Sequence, residues 1–387
     1  MAISLFKRSQ DGTVGLDIDG RYLAAVQVSG GRLTRVASRQ LPEGILADGE
    51  VVDRAALSEA LRSFVAEENL PRRVHLGVSN QQIVVRMLEM PQIDDLEERT
   101  SALRYQAADA IAMPLDEAVL DHQVSGYVET PNGTRMQVVV VAARRTMIEE
   151  YLAAVKDAGL KAEGIDLDAF ALIRVLADET VVPALAPPEA VETQVLDEPE
   201  LGLDGEPLDS RTYGGPADDA TDVSESAYEE PADEAAPKSY GTPVAPYVEP
   251  LPVEPTPVDD DAPQLARVYC HLGGVTQLAI AVGSACYFTR ILSTPAGVEG
   301  ASSALADEIR LSIDFYMAQP NALPVGDAIL SGEGARDGAL VADIGARLGI
   351  PAGVARPLGA LDLSALPDSE DARRYTVAAG LAIGATA

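Results

Sequence analysis

The sequence predicts an α/β protein built from two similar lobes, and three observations lead to that prediction. A pattern of strand, glycine turn, strand, glycine turn and strand occurs twice along the chain. Apolar residues at helical spacing follow each occurrence. A long acidic, proline-rich segment separates the two occurrences. A pattern that occurs once in each half indicates two related lobes and not a solenoid array.

The first occurrence opens at Val14 with the residues VGLDIDG, continues with an alternating run over 23–28, turns at 29–31 and ends in a third run over 33–41. The second opens at Val268, continues over 278–282, turns at 283–284 and ends over 286–292. At a constant offset of 254 positions, Val14 falls on Val268 and Asp17 falls on His271. Because the alignment needs no gap, we predict the same strand order in both lobes.

The second half also contains three later elements. Apolar residues four apart predict a helix over 302–318, with Leu305, Ile309 and Ile313 on one face. A strand and glycine turn follow at 328–335, and then a helix over 338–348 that Gly349 and Pro351 end. The small residues at 378–385 favour close backbone packing, and we expect a C-terminal helix that returns to the first lobe.

The segment from Asp178 to Asp261 differs in composition from the rest of the chain. Its 84 residues include 23 acidic side chains, two basic ones and 14 prolines, a net charge of −21 out of −32 for the whole chain. Proline removes backbone donors, and the apolar residues follow neither a strand nor a helix period. We therefore predict a disordered linker.

These features predict three parts. A first lobe covers residues 1–177 and carries a small inserted subdomain at about residues 88–150. The acidic linker covers 178–262, and the second lobe covers 263–387.

Composition and charge argue against several classes of function. A nucleic-acid binder needs a basic surface, whereas the longest basic clusters are pairs such as Lys7-Arg8 and Arg72-Arg73. No apolar run approaches the roughly 18 to 20 residues of a membrane helix. The first 12 residues show no apolar core followed by a cleavage site. We expect a cytoplasmic protein with no nucleic-acid partner and no membrane span of its own.

The cysteines and histidines argue against common hydrolases. Cys270 and Cys286 cannot form a disulfide framework, and their spacing near His271 matches no four-ligand metal site. The chain has three histidines and neither a GxSxG nor an HExxH motif. We expect two buried structural thiols, and neither a zinc hydrolase nor an elbow-type serine esterase.

Four stretches of the chain resemble segments of one known family. They are Leu5-Phe6-Lys7 followed by 14–18, the segment 106–123 with its IAMPLDE run, the segment 149–173 with its AGL run, and the helical segment 308–316. Together these are similar to the PilM family, cytoplasmic actin-like proteins of type IV pilus assembly. The resemblance covers both folded blocks and implies an actin-like (ribonuclease H-like) fold with a cleft between its two lobes.

In that fold, three glycine turns hold ATP, and an Asp on each of the first two turns holds a hydrated Mg²⁺ ion. The resemblance makes Asp17 a candidate metal ligand and gives these candidate nucleotide-binding residues: Asp17, Ile18, Asp19, Gly20, His271, Gly273, Gly274, Gly332, Glu333 and Gly334. Each turn departs from the family pattern: Asp19 and Glu333 replace glycines, and His271 replaces an acid.

Two alternatives follow for ATP and Mg²⁺. In the first, the site works and Asp19 takes over a metal-binding role. In the second, the site is degenerate and binds nucleotide weakly or not at all. Three departures at three turns favour the second, so we expect no significant ATP hydrolysis, and a scaffold is favoured over an enzyme.

The resemblance also implies a partner. PilM proteins bind the N-terminal tail of the membrane protein PilN, so we expect a PilN-like partner, recruitment to the inner face of the cell membrane, and the pilus motor ATPase as a further possible partner. The alternating runs Val74–Met90 and Arg135–Ala142 could accept an extended peptide, or they are ordinary core strands.

Two enzyme hypotheses compete with the scaffold. One is an actin-like ATP-binding or ATPase protein of the FtsA type, which would carry an amphipathic membrane helix that the final residues 381–387 do not resemble. The other is a sugar kinase with a catalytic Asp between the lobes, near Asp166.

Overall fold

The computed structural model of the chain describes residues 13–131, 133–178, 264–295, 300–319, 322–356, 358, 361, 363–364, 366 and 371–386. The predicted linker beyond Asp178 and the opening Leu5-Phe6-Lys7 lie outside these residues. All described residues belong to one compact unit, within which the two lobes contact each other.

In chain order, the described part of the first lobe contains β1 (Val14–Ile18), β2 (Tyr22–Ser29), β3 (Arg32–Gln40), β4 (Leu46–Ala47), β5 (Glu50–Val51), α1 (Arg54–Glu67), β6 (Arg73–Val78), β7 (Ile83–Pro91), α2 (Leu96–Ala110), β8 (Ala118–Thr130), β9 (Gly133–Arg144), α3 (Arg145–Asp157), β10 (Lys161–Leu167) and α4 (Asp168–Leu176). The described part of the second lobe contains β11 (Ala266–Leu272), β12 (Thr276–Val282), β13 (Ala285–Ile291), α5 (Ala301–Met317), β14 (Val325–Ser331), α6 (Gly338–Leu348), β15 (Ala352–Val354) and α7 (Thr376–Thr386). Short 3-10 helices occur at Glu333–Arg336 and Ala372–Tyr375.

The two lobes share one sheet topology, as the repeat in the sequence predicts. The first-lobe sheet has the order β10-β6-β1-β2-β3, and the second-lobe sheet has the order β13-β12-β11-β14-β15. In each sheet the opening strand is central: it pairs antiparallel with the next strand and parallel with a later one. Val14 begins β1 and Val268 lies in β11, and these two strands are the equivalent central strands of the two sheets.

A separate three-stranded sheet, β7-β9-β8, packs against α2 and forms an inserted subdomain. It begins at Ile83, earlier than the predicted start near residue 88. The reason is that the period-two pattern of β7 serves two cores. Ile83, Val85 and Met87 pack on the main core of the first lobe, whereas Val84, Leu88 and Met90 pack on the core under α2.

Helix α4 contacts both lobes, and helix α7 packs on the sheet of the first lobe. Helix α4 contacts β11, β12 and β13, and apolar residues of the second lobe such as Ala279 extend the main core of the first. Helix α7 packs on α4, β1, β2 and β6. Glycines permit this close approach, since a Cβ at Gly15 would lie 2.0 Å from the carbonyl oxygen of Ala378 and one at Gly380 would lie 2.1 Å from that of Ala171.

Candidate functional site between the lobes

The turn between β1 and β2 lies directly against the turn between β11 and β12. A Cβ at Gly274 would lie 2.4 Å from the backbone oxygen of Asp19, and one at Gly20, which has a φ of +87°, would lie 3.7 Å from Val275. Glycine at position 274 is thus required by the contact between the lobes. The two turns that grip phosphates in the actin-like fold are here in contact with each other.

The carboxylate of Asp19 holds the two turns together. Its Oδ1 accepts hydrogen bonds from the backbone N–H groups of Arg21 (2.9 Å) and Tyr22 (2.7 Å). Its Oδ2 accepts one from the N–H group of Gly274 in the other lobe, at 3.0 Å. Backbone N–H groups at glycine turns are the donors that bind anions in such folds. Asp19 is therefore a built-in anion that the turns already bind.

Asp17, the candidate metal ligand, is buried in β1 and faces other carboxyl groups. Its Oδ1 has no hydrogen-bond partner among the described residues. Burial raises the pKa of Asp17 well above its usual value, and the negative charges of Asp168 and Asp19 raise it further. These effects favour the neutral, protonated carboxyl group.

His271 occupies the position where the family has its second acid. It is buried at the end of β11, and its Nδ1 lies 3.0 Å from the Oγ of Ser331. Burial lowers the pKa of His271 to about 4, although the charge of Asp19 acts in the opposite direction. A Cβ at Gly273 would lie 2.7 Å from the Nε2 of this ring, so the neutral imidazole packs against the turn.

Arg374 connects the third glycine turn to the first lobe. Glu333 Oε1 accepts a hydrogen bond from Arg374 Nε at 2.9 Å, and Arg374 Nη1 donates to Ser38 Oγ at 2.9 Å. The guanidinium group of Arg374 also lies over the ring of Tyr22, 4.3 Å from its centroid. Gly332 packs on the backbone of Leu272, and Gly334 lies in the 3-10 helix that follows. Glu333 therefore has a structural partner.

A second group of carboxyl groups lies at the junction of β10 and α4. Asp166 Oδ2 forms a salt bridge with Arg174 Nη2 at 2.9 Å, and Arg174 Nη1 donates to the carbonyl oxygen of Gly380 in α7. Burial raises the pKa of Asp168 to about 7, whereas its hydrogen bond with Ser79 lowers it. Asp166 thus holds α4 against α7 through Arg174. A sugar kinase needs a catalytic Asp that is free of such a salt bridge.

These residues do not fit a hydrated Mg²⁺ ion, which prefers ionised carboxylates. The environment of Asp17 favours its neutral form, the imidazole of His271 is neutral, and both oxygens of Asp19 already accept backbone hydrogen bonds. Within the described ranges, no group of three or more His, Cys, Asp or Glu side chains is arranged to hold a metal ion.

The structure brings the first two predicted turns together at Asp19 and places Gly332 of the third turn against Leu272 of β11. Sequence reasoning missed Ser331, Arg374 and Arg174, and it named Asp166 only as the position near which a sugar kinase would have its catalytic Asp. The strand end Ile165-Asp166-Leu167-Asp168, with acids beside buried apolar residues, carried a usable signal for Asp166 and Asp168. Arg374 carried none, because it lies 41 positions from Glu333 in a segment without a motif.

The strands proposed as peptide acceptors differ in position. β6 lies between β10 and β1, and β9 lies between β7 and β8, so both are core strands paired on each side. Only β7 of the three is at a sheet edge, together with β8, which the sequence did not single out. No helix in the described part of the chain is long and apolar enough to cross a membrane.

Comparisons with known proteins agree with this architecture. Residues 15–196 match the family described as type IV pilus assembly protein PilM. A solved PilM-PilN type IV pilus biogenesis complex matches with a TM-score of 0.66 and 21% identity, over 97% of this chain and 99% of that chain. This match establishes the two-lobed actin-like fold.

Two further structures are more distant. Ethanolamine utilization protein EutJ from Carboxydothermus hydrogenoformans is 12% identical, with a TM-score of 0.43 over 96% of this chain and 89% of that chain. The cytoplasmic domain of EpsL, an inner membrane component of the type II secretion system of Vibrio cholerae, is 10% identical, with a TM-score of 0.37 over 83% and 81%. Over residues 15–196, just under half of its length, this chain is therefore similar to the family of type IV pilus assembly protein PilM, and it shares the fold of a solved PilM.

Proposed function

We propose that this chain is a cytoplasmic scaffold of the pilus inner-membrane assembly complex that binds the N-terminal tail of a PilN-like membrane protein, and that its nucleotide site is degenerate. The match of residues 15–196 to the PilM family supports the assembly role, and one solved structure of similar fold is a PilM in complex with PilN. Through this partner the protein is recruited to the inner face of the membrane.

The observation that carries the degenerate site is the hydrogen bond from the Gly274 N–H to Asp19 Oδ2. An ATP phosphate would have to displace this carboxylate and lie beside it. At about 4 Å and an effective dielectric near 20, two unit negative charges repel by roughly 4 kcal/mol. Neither the neutral His271 nor Asp17 supplies an ionised acid to recruit a compensating Mg²⁺ ion.

Isothermal titration with MgATP and with a non-hydrolysable analogue tests the nucleotide half. We expect no binding at micromolar concentrations and no phosphate release above the buffer rate. Tight binding that Asp17→Ala abolishes would instead favour a working ATP site of the FtsA type.

For the tail, we propose the outer end of edge strand β8 as the docking surface. Tyr127 and Val128 are 57% and 38% exposed there, and extended peptides add to strand edges. Tyr127→Ala should weaken binding of a synthetic PilN-like N-terminal peptide at least several-fold. Tyr105→Ala is the matched control, because Tyr105 is 79% exposed and lies on α2 and not on β8.

The two outcomes separate the scaffold from its docking surface. Failure of the peptide to bind the folded chain at all would overturn the scaffold role. If both tyrosine variants bind the peptide as the wild type does, the docking surface lies elsewhere than at β8, and the scaffold role stands.

A further inference from the structure

A cavity of about 270 Å³, the cleft cavity, lies between the lobes and away from the three glycine turns. The carboxyl ends of β6 and β10 and the start of α4 line it from the first lobe, and β12 and β13 line it from the second. None of the candidate nucleotide residues in the turns lines this cavity. The turns therefore contribute no candidate nucleotide residue to its lining.

One wall of the cleft cavity carries a buried amide without a partner. The side chain of Gln277 is 4% exposed, and no hydrogen bond to its amide occurs among the described residues. Its amide atoms are not among the fully buried side-chain atoms without a partner, so the amide is open to the cavity. The neighbouring Asn80, in contrast, both donates to Asp48 and accepts from Gln82. Gln277 thus has donor and acceptor capacity available to a ligand.

The cleft cavity also has one cation in its lining. Arg290 is the single charged residue among the described residues that line it, and no carboxylate of the described chain pairs with it. Arg290 gives the cavity the charge to bind one carboxylate, which guanidinium groups recognise through paired hydrogen bonds.

The remaining lining limits the size and nature of a ligand. Val78, Ile83, Leu167, Leu278 and Ile291 provide apolar walls. At about 30 Å³ per water molecule, the volume corresponds to roughly nine waters, or a ligand of six to nine non-hydrogen atoms. A small polar head with an apolar stem fits such a pocket.

The nearest acids are already engaged. Asp168 lies behind Ser79, to which it is hydrogen bonded, and the raised pKa of its buried carboxyl group reduces its negative charge at neutral pH. Glu308 accepts from the Ser293 N–H and from Thr294 on the other side. Neither acid is paired with Arg290, so the cation remains available.

We propose that the cleft cavity binds a carboxylate carried on a short apolar stem, with Arg290 and Gln277 as the recognition groups. Two sources share this chemistry: a free monocarboxylic acid, or the acidic side chain of a bound peptide. Because the cavity is lined by both lobes, such a ligand bridges them. The inference stands apart from the proposed function, since it requires neither nucleotide nor a PilN-like tail.

Titration of the full chain with butyrate, followed by calorimetry or NMR, tests the proposal. We expect saturable binding in the millimolar range, and at least tenfold weaker binding of the neutral isostere butyramide. Arg290→Gln and Gln277→Glu should each weaken butyrate binding about tenfold, the loss of one hydrogen bond to a charged group. Arg310→Gln is the matched control, because Arg310 is an exposed arginine of α5 outside the cavity.

Thermal unfolding checks that each variant folds. Arg290 is exposed, so we expect Arg290→Gln to fold. If Gln277→Glu does not fold, butyrate binding by Arg290→Gln alone tests the proposal. A pentapeptide with a single central Glu distinguishes the two sources of the carboxylate. If it binds more tightly than butyrate, the ligand is the acidic side chain of a peptide; if it binds more weakly, the ligand is a free acid. Either result supports carboxylate binding in the cleft cavity. Absence of saturable butyrate binding, equal binding of butyramide, or unchanged binding by Arg290→Gln would overturn the proposal.

Discussion

Replacing Asp19 by alanine tests the contact between the lobes most simply. The change removes a carboxylate that accepts backbone hydrogen bonds from Arg21, Tyr22 and Gly274. A hydrogen bond to a charged group contributes about 1.5–3 kcal/mol when buried. Asp19 is half-buried, so water replaces part of this, and we expect the free energy of unfolding to fall by about 2–4 kcal/mol.

Thermal unfolding and hydrogen exchange measure this loss at two levels. For a body of this size, about 2 °C per kcal/mol gives a fall in Tm of about 4–8 °C. Loss of the bond from the Gly274 N–H, worth about 1.4–2 kcal/mol, should speed exchange of that amide roughly 10- to 30-fold. Asp307→Ala, which removes an exposed acid from α5, is the control and should change neither quantity measurably. A Tm shift no larger than that of the control, with unchanged exchange at Gly274, would refute the bridging role of Asp19.

Three further predictions concern the surroundings of the site. Asp168 has a folded pKa of about 7, above its ordinary 3.8, so its contribution to stability is present when it is protonated and is lost as pH rises through 7. In urea unfolding, the free energy of unfolding of Asp168→Asn should therefore rise by roughly 2 kcal/mol relative to that of the wild type when the pH increases from about 5 to about 8. A difference between the two proteins that stays constant over this range would show that Asp168 does not titrate there. A double-mutant cycle between Glu333 and Arg374 should give a coupling of about 1–2 kcal/mol, and additive single changes would mean that the bridge is not formed. Gly380→Ala should destabilise the chain by more than about 2 kcal/mol, because its Cβ meets the backbone of α4, whereas Gly338→Ala, with open space around it, should be neutral or slightly stabilising; equal Tm values would contradict the packing of α7.

Local sequence patterns predicted most of the fold. The ungapped repeat from Val14 to Val268 gave both central strands, and the apolar spacing around Leu305 and Ile309 predicted a helix at 302–318 that the structure has at Ala301–Met317. These elements follow from strand and helix periods that residues a few positions apart reveal.

The contacts that make up the site could not be predicted in the same way. The presence of Asp19 in place of a glycine was visible in the sequence, but its bond to Gly274 joins residues 255 positions apart. Arg374 and Gln277 lie in segments without a motif. Only the packed fold brings Arg374 to Glu333 and places Gln277 in the lining of the cleft cavity. Long-range pairs of this kind depend on the relative position of the lobes, which a single sequence does not encode as a local pattern.

The central claim is that this PilM-like chain is a scaffold that binds a PilN-like tail without nucleotide. Calorimetric titration of the full chain with a PilN-like N-terminal peptide, with and without millimolar MgATP, tests it most directly. The account predicts saturable binding of the peptide with the same Kd in both buffers, and no heat from MgATP alone. Peptide binding that appears only with MgATP, or that is absent from both buffers, would contradict it.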